Sequence, residues 1–254
     1  MGEELVVVDD GVLRRFDFRG QARSSTKLSP PLREIDRVTK DCVTSLDFAS
    51  AGMLIGLEET RSVKDTDFPS LLRLYAEEGD RLLQEREVPL IAHIARAFVS
   101  PHGDILVYGL LNRGWDYHVN LAGMTKRIGR PGPLGSAGLW GLVRFTDWSA
   151  EPEVLITGLD DVVPFRDGLL GYSGDLVEAQ YEELVAWGVA QFRHQVLFEL
   201  SWDGKVVATY DVSDGEIGAD KLMLGQPLGD RLVLASTVQV YELDFSQLAD
   251  RRQP

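Results

Sequence analysis

Residues 121–132 read LAGMTKRIGRPG, and the glycine at 123 divides two short segments in which apolar and polar residues alternate. Period-two alternation across a glycine is the signature of a β-hairpin, because glycine supplies the positive φ of a tight turn at no steric cost. The same cadence recurs at RRFDFRGQARS (Gly20), RLYAEEGDRLL (Gly79), VVPFRDGLLG (Gly168), FELSWDGKVVATY (Gly204) and, with serine in the turn, VYELDFSQLA (Ser246). The interval averages roughly 45 residues, a length at which each repeat is one supersecondary unit. The first interval is longer because a polar insert, Glu59 to Ser70, lies within it.

A second element keeps phase with the turns. About twelve residues ahead of most of them stands a short apolar run: LVVV (5–8), MLIGL (53–57), ILVYGL (105–110), VLITGL (154–159), VAWGV (185–189) and LVLAS (232–236). These runs lack helical spacing and are rich in β-branched residues, so they read as buried strands. Ahead of several comes one more strand closing in a turn, as in VTSLDFASAG, IARAFVSPHG, VRFTDWSAE and LMLGQPLG. Four strands per unit follow, and DLVEAQYEELVAW, the one stretch with a helical hint, reads as a first strand of the fifth unit.

Six units of four short antiparallel strands fit radial repetition better than a sandwich, whose strands need not recur in phase. The expected fold is all-β: a single domain over 1–254, a six-bladed β-propeller of four-stranded antiparallel blades, with five or seven blades as alternatives. The chain starts at a second strand and stops after a third, so both termini are expected to close one blade and hide two sheet edges. The segment PHGDILVYGLLNRGWDYHVNLAGMTKRIGRPG, Pro101 to Gly132, resembles a blade of the NHL-repeat and related propellers. Across the rest of the chain the resemblance is one of pattern. Trp202-Asp203 and Trp115-Asp116 lack the Gly-His partner of a WD repeat.

Charge narrows the partners. With 26 basic and 40 acidic residues the chain carries −14, and such a field repels phosphate backbones. Lys126, Arg127 and Arg130 are too few to make a nucleic-acid surface, so nucleic acid is not an expected partner. No apolar run approaches the ~18 residues of a membrane span, and MGEELVVVDD is acidic with a short apolar core, unlike a secretory signal. The expectation is a cytoplasmic monomer with no membrane span. Cys42 is the sole cysteine and reads as a buried, inert thiol.

Candidate sites fall in loops. Acidic pairs follow three of the apolar runs: Asp9 and Asp10, Glu58 and Glu59, Asp160 and Asp161. At equivalent positions on one propeller face they would converge on a hard cation such as Ca²⁺, which takes six to eight oxygens; the competing reading is that each Asp bonds its own loop backbone. The loop Leu111 to His118 brings Asn112, Arg113, Trp115 and Asp116 together, and Arg and Trp are frequent anchors of protein interfaces. His194 joins these as a loop-face candidate, whereas His93, His102 and His118 share no metal-pair spacing with it. No catalytic motif is present in the sequence.

These features predict a binding or scaffold module without a cofactor, docking a protein or peptide through its loop face. A Ca²⁺-dependent hydrolase such as a lactonase, with the three acidic pairs around the channel, is one alternative. A small-molecule sensor is another.

Overall fold

Four glycine turns show why the cadence recurs. At Asp17–Gln21, Ser100–Asp104 and Ser201–Lys205 the first amide donates to the fifth carbonyl, and the glycine amide donates to the first carbonyl, at 2.8–2.9 Å. The turn at Ala76–Arg81 is one residue longer and otherwise the same. Gly20, Gly79, Gly103 and Gly204 occupy its left-handed position, with φ between 74° and 91°. This is a type I turn followed by a left-handed residue, a common way to reverse an antiparallel pair.

In the three five-residue turns the first residue, Asp17, Ser100 or Ser201, locks the turn with its side chain. Asp17 Oδ1 accepts the amides of Arg19 and Gln21, both at 2.9 Å, and Ser100 Oγ accepts those of His102 and Asp104 at 3.2 and 3.1 Å. Where glycine is missing, aspartate takes over: Asp147 Oδ1 accepts both the amide and the hydroxyl of Ser149 at 2.7 Å, and Asp244 does the same for Ser246. Those bonds hold the Asp147 and Asp244 carboxyls below the ordinary aspartate range. In the Gly204 turn, Lys205 and then Ser201 bring Asp203 down to about 2.

The structure, a computed structural model, describes residues 4–32, 40–60, 70–88, 90–111, 118–121, 124–127, 140–176, 192–212, 223–225, 227–235, 239–247 and 252–253. Among them there is no helix, and none long and apolar enough to cross a membrane. The first sheet is β1 (Glu4–Asp9), β2 (Val12–Asp17) and β3 (Ala22–Lys27), and the second is β4 (Lys40–Ala49), β5 (Gly52–Thr60), β6 (Ser70–Tyr75) and β7 (Leu82–Val88). The third runs in the order β13-β12-β9-β8, from β8 (Ile91–Val99), β9 (Ile105–Leu111), β12 (Trp140–Phe145) and β13 (Glu153–Thr157). Between β9 and β12 the chain makes a separate hairpin, β10 (His118–Leu121) with β11 (Met124–Arg127). The fourth sheet joins β14 (Asp161–Phe165), β15 (Gly168–Leu176), β16 (Phe192–Leu200), β17 (Val206–Asp211) and β21 (Arg252–Gln253). The fifth joins β18 (Met223–Leu224), β19 (Arg231–Ala235) and β20 (Val240–Asp244).

The fold is a β-propeller of four-stranded antiparallel blades, five in number. Six were expected, and the difference has one cause. The hairpin of β10 and β11 is inserted between β9 and β12, and among the described residues its two strands pair only with each other, so β9 takes β12 as its partner. VRFTDW, expected to open a fourth unit, is therefore the third strand of the third blade, and VLIT is its partly buried fourth strand. The Gly168 hairpin of that expected unit, β14 with β15, pairs instead with β16 ahead of the Gly204 turn, so three expected units become two blades. The termini, expected to share a blade, lie in different sheets: β1 with β2 and β3, and β21 on β17.

Two compact units divide the chain. The first comprises Met1–Asn112 and Arg144–Glu153. Its core gathers Leu13, Leu28, Met53, Ile55, Leu57, Leu71 and Tyr75, with Val6, Val8 and Leu46 packed against them. Gly52 is required there, since at φ +142° a Cβ would stand 2.1 Å from the Tyr75 carbonyl oxygen. β6 is buried throughout and carries Arg73, 4% exposed; its Nε lies 2.5 Å from Glu85 Oε2 and its Nη1 3.8 Å from Asp41 Oδ2. A buried guanidinium persists only when opposing charge and hydrogen bonds replace its water. Arg86 secures the returning segment: its guanidinium lies 4.2 Å from the Phe145 ring centroid, and Nη1 donates to the Trp148 carbonyl at 2.9 Å.

Cys42 departs from expectation, because it is exposed. Asp41 turns inward toward Arg73 and the next residue of the strand must face the other way. The run LVVV is likewise only half covered, with Leu5 58% and Val7 38% exposed while Val6 and Val8 face the core.

The second unit comprises Arg113–Val143 and Val154–Pro254. Its core includes Val163, Phe165, Leu170, Tyr172, Leu197, Tyr210, Leu232, Leu234 and Phe245. LVLAS alternates, Leu232 and Leu234 inward and Val233 outward, so it is a half-buried strand. VAWGV and the stretch DLVEAQYEELVAW lie largely outside the described residues.

Candidate functional site

In the second unit β14 and β15 pair so tightly that Phe165 faces Gly168, leaving Arg166 and Asp167 as a two-residue turn. Such turns need a positive φ at their first residue, a place asparagine, aspartate or glycine normally takes. Here Arg166 takes it, at φ +50°. Gly168 is needed one step on, where a Cβ would meet the Leu200 carbonyl oxygen at 2.2 Å. A non-glycine residue held in the left-handed region persists only where its surroundings over-determine it, and such residues gather at functional sites.

The surroundings of Arg166 do so. Its Nε and Nη2 donate to Asp230 Oδ1 at 3.1 and 2.6 Å, and its Nη1 donates to Glu199 Oε1 at 2.9 Å. Tyr210 donates its hydroxyl to that same Glu199 oxygen at 3.0 Å. The guanidinium also lies over two rings, 4.7 Å from the centroid of Phe165 and 5.8 Å from that of Phe245. Phe165 and Phe245 are 4.6 Å apart, and Tyr210 meets Phe245 edge-on at 5.5 Å. The bonds to Asp230 push the Arg166 pKa further up, so the side chain is a fixed cation.

Arg166 stands between two open clefts. One, about 290 Å³, is walled by Phe165, Leu169, Leu200 and Val207, with Asp167 and Glu199 as its carboxylates. The other, about 330 Å³, lies among Pro164, Pro227, Gly229 and Asp230. Leu228, at 72% exposure, stands in the turn between Pro227 and Gly229. Sites for drug-sized ligands run from about 300 to 1,000 Å³ and enclose most of the ligand. Two open clefts at the bottom of that range beside an arginine suit side chains presented from a second chain.

The positions singled out in the sequence meet different fates. Asn112, Arg113, Trp115 and Asp116 lie outside the described residues. His194 lies within β16, opposite Asp175 in register, and His93 within β8, so neither is in a connection. The acidic pairs occupy unlike places in their sheets: Asp9 and Asp10 at the β1–β2 turn, Glu58 and Glu59 at the end of β5, Asp160 and Asp161 at the entry to β14. Asp9 accepts a bond from Arg14 Nη1 at 2.8 Å. Asp10 and Gly11, at φ +47° and +69°, form a two-residue turn whose Asp-Gly signature is legible in the sequence. Asp160 Oδ2 accepts the Gly174 amide at 2.8 Å. Asp161, 6% exposed, accepts the Val162 amide at 2.9 Å with one oxygen and the Leu224 amide at 2.8 Å with the other.

Sequence reasoning places a hairpin at VVPFRDGLLG but does not single out Arg166. Its partners stand 33 and 64 residues away, and only folding unites them.

No protein-family model matches this chain, and no curated protein matches it. Among solved structures it is similar to a protein of unknown function from Bacteroides caccae, at 12% identity and a TM-score of 0.32, over 84% of this chain and 80% of that one. It is also similar to the computationally designed Ika8 protein, at 9% identity and 0.38, over 96% and 69%. The N-terminal domain of Nup159 is a third, at 11% identity and 0.30, over 95% and 72%.

Proposed function

We propose that this propeller is a non-catalytic binding module that docks a protein or peptide partner through the surface around Arg166. The observation that carries the reading is an arginine held in a costly backbone conformation between two open clefts, its guanidinium stacked on Phe165 and Phe245. Arginine and aromatic groups dominate binding hot spots, where a rigid anchor loses little entropy on association. Exposed Val207 and Leu228 add apolar rim. Kinship with NHL-type propellers belongs to this reading and draws on the recurrent glycine turns. So does a cytoplasmic place of work, where a lone thiol such as Cys42 stays reduced.

The test is selection of a displayed random peptide library on the immobilised full chain, followed by anisotropy titration of the enriched peptides. Arg166→Ala is expected to weaken them about tenfold or more. Unchanged affinity, or no enrichment, would remove the reading.

A further inference from the structure

The fourth sheet carries one strand more than a blade of four requires, and the extra strand is β21, added antiparallel to β17. It is short. Gln253 stands opposite Thr209 and Arg252 opposite Tyr210, so two residues of the tail pair with a strand of six. Pro254 comes next and has no amide to give a ladder. The edge of β17 therefore accepts an extended segment, and the one this chain supplies makes few main-chain bonds. A terminal strand held by so few bonds opens at little cost.

β17 also carries that edge to the Arg166 site. The register of β16 with β17 shifts between Glu199 and Leu200, so Val207 faces no residue of β16. Bulges of this kind re-aim a side chain at sheet edges and beside sites. Val207 walls the cleft of Phe165, Leu169 and Leu200. Further along β17, Tyr210 donates to the Glu199 carboxylate that holds Arg166. Asp167 and Glu199 stand in that cleft, Asp230 in its neighbour and Asp203 on the turn from Ser201, against Arg166 and Lys205. The tail that reaches β17 carries Arg251 and Arg252 in a chain with 40 acids and 26 bases. We infer that the edge of β17 is a strand-addition site, occupied by residues 252–253 in the unbound protein, from which an extended basic segment of a partner protein displaces them. In this mode main-chain bonds give affinity, and pockets for alternate side chains give specificity. The cleft at Val207 is such a pocket, and its carboxylates select a basic side chain.

This inference rests on the Arg166 surface as the docking site, and its test separates the two. The probe is a short labelled peptide alternating arginine and valine, beside a counterpart with glutamate for arginine. Each is titrated against the full chain, a chain stopped after Asp250, and a full-length chain with Arg252→Pro and Gln253→Pro, which keeps the tail but removes both amides. An occupied edge lowers apparent affinity by the fraction left open, so both tail variants are expected to bind the arginine peptide about tenfold more tightly than the full chain does. The glutamate peptide is expected to bind none of them. Methylating the peptide amides on one edge is expected to abolish binding, and methylating those on the other edge to leave it. Unchanged or weaker binding by both tail variants, equal binding of the glutamate peptide, or indifference to both methylated sets would overturn the inference. If library-selected peptides still lose affinity with Arg166→Ala in that case, the failure belongs to the strand-addition site and the docking reading stands.

Discussion

Arg166 concentrates the tension between folding and binding in one residue. At φ +50° an L-residue pays a backbone cost that glycine would not, and its ion pairs, with the guanidinium 43% exposed, contribute little to stability in return. Replacement by glycine and by alanine separates the two. Arg166→Gly is expected to be about 1 kcal/mol more stable than Arg166→Ala, while both lose the enriched peptides equally; paired denaturant melts and anisotropy titrations check it. No local pattern in the sequence marks this residue, because a left-handed arginine has no signature and its ring and carboxylate partners arrive from four strands or turns. Asp10 is the opposite case. Asp-Gly between two apolar runs announces the turn directly, and Asp10 takes the left-handed first position of that turn.

At the scale of strands and turns the sequence is more legible. The turns at Gly20, Gly79 and Gly204 fall where the alternation puts them, and MLIGL and ILVYGL are the buried strands they read as. The reading fails where one signal serves two uses. Gly123 and Gly168 also divide alternating segments, but the segments either side of Gly123, β10 and β11, are an inserted hairpin, and Gly168 follows the turn joining the first two strands of a blade. The turn that does close the third blade is held by Asp147 and Ser149 and has no glycine to count. Glycine turns also differ in what they tolerate. Gly20→Ala meets no atom within 4 Å and pays only for its positive φ, whereas Gly52→Ala collides with the Tyr75 carbonyl. Urea unfolding is expected to show a loss of about 1 kcal/mol for the first and at least twice that for the second.

For the molecule as a whole, the decisive feature is the order in which the chain visits its two units. Arg144–Glu153 returns to the first unit after the inserted hairpin, bringing Phe145 beneath Arg86 and the Trp148 carbonyl to its guanidinium. A fragment ending at Asn112 lacks that segment. It is expected to melt at a lower temperature than the full chain and to expose apolar surface to dye, whereas adding the segment in trans as a peptide recovers part of the difference. A chain made from its N-terminus meets the same condition during synthesis. The earlier-made unit has to wait, incomplete, until residue 153 has left the ribosome, and over that interval Arg86 and its neighbours are open to whatever chaperone or stray strand arrives first.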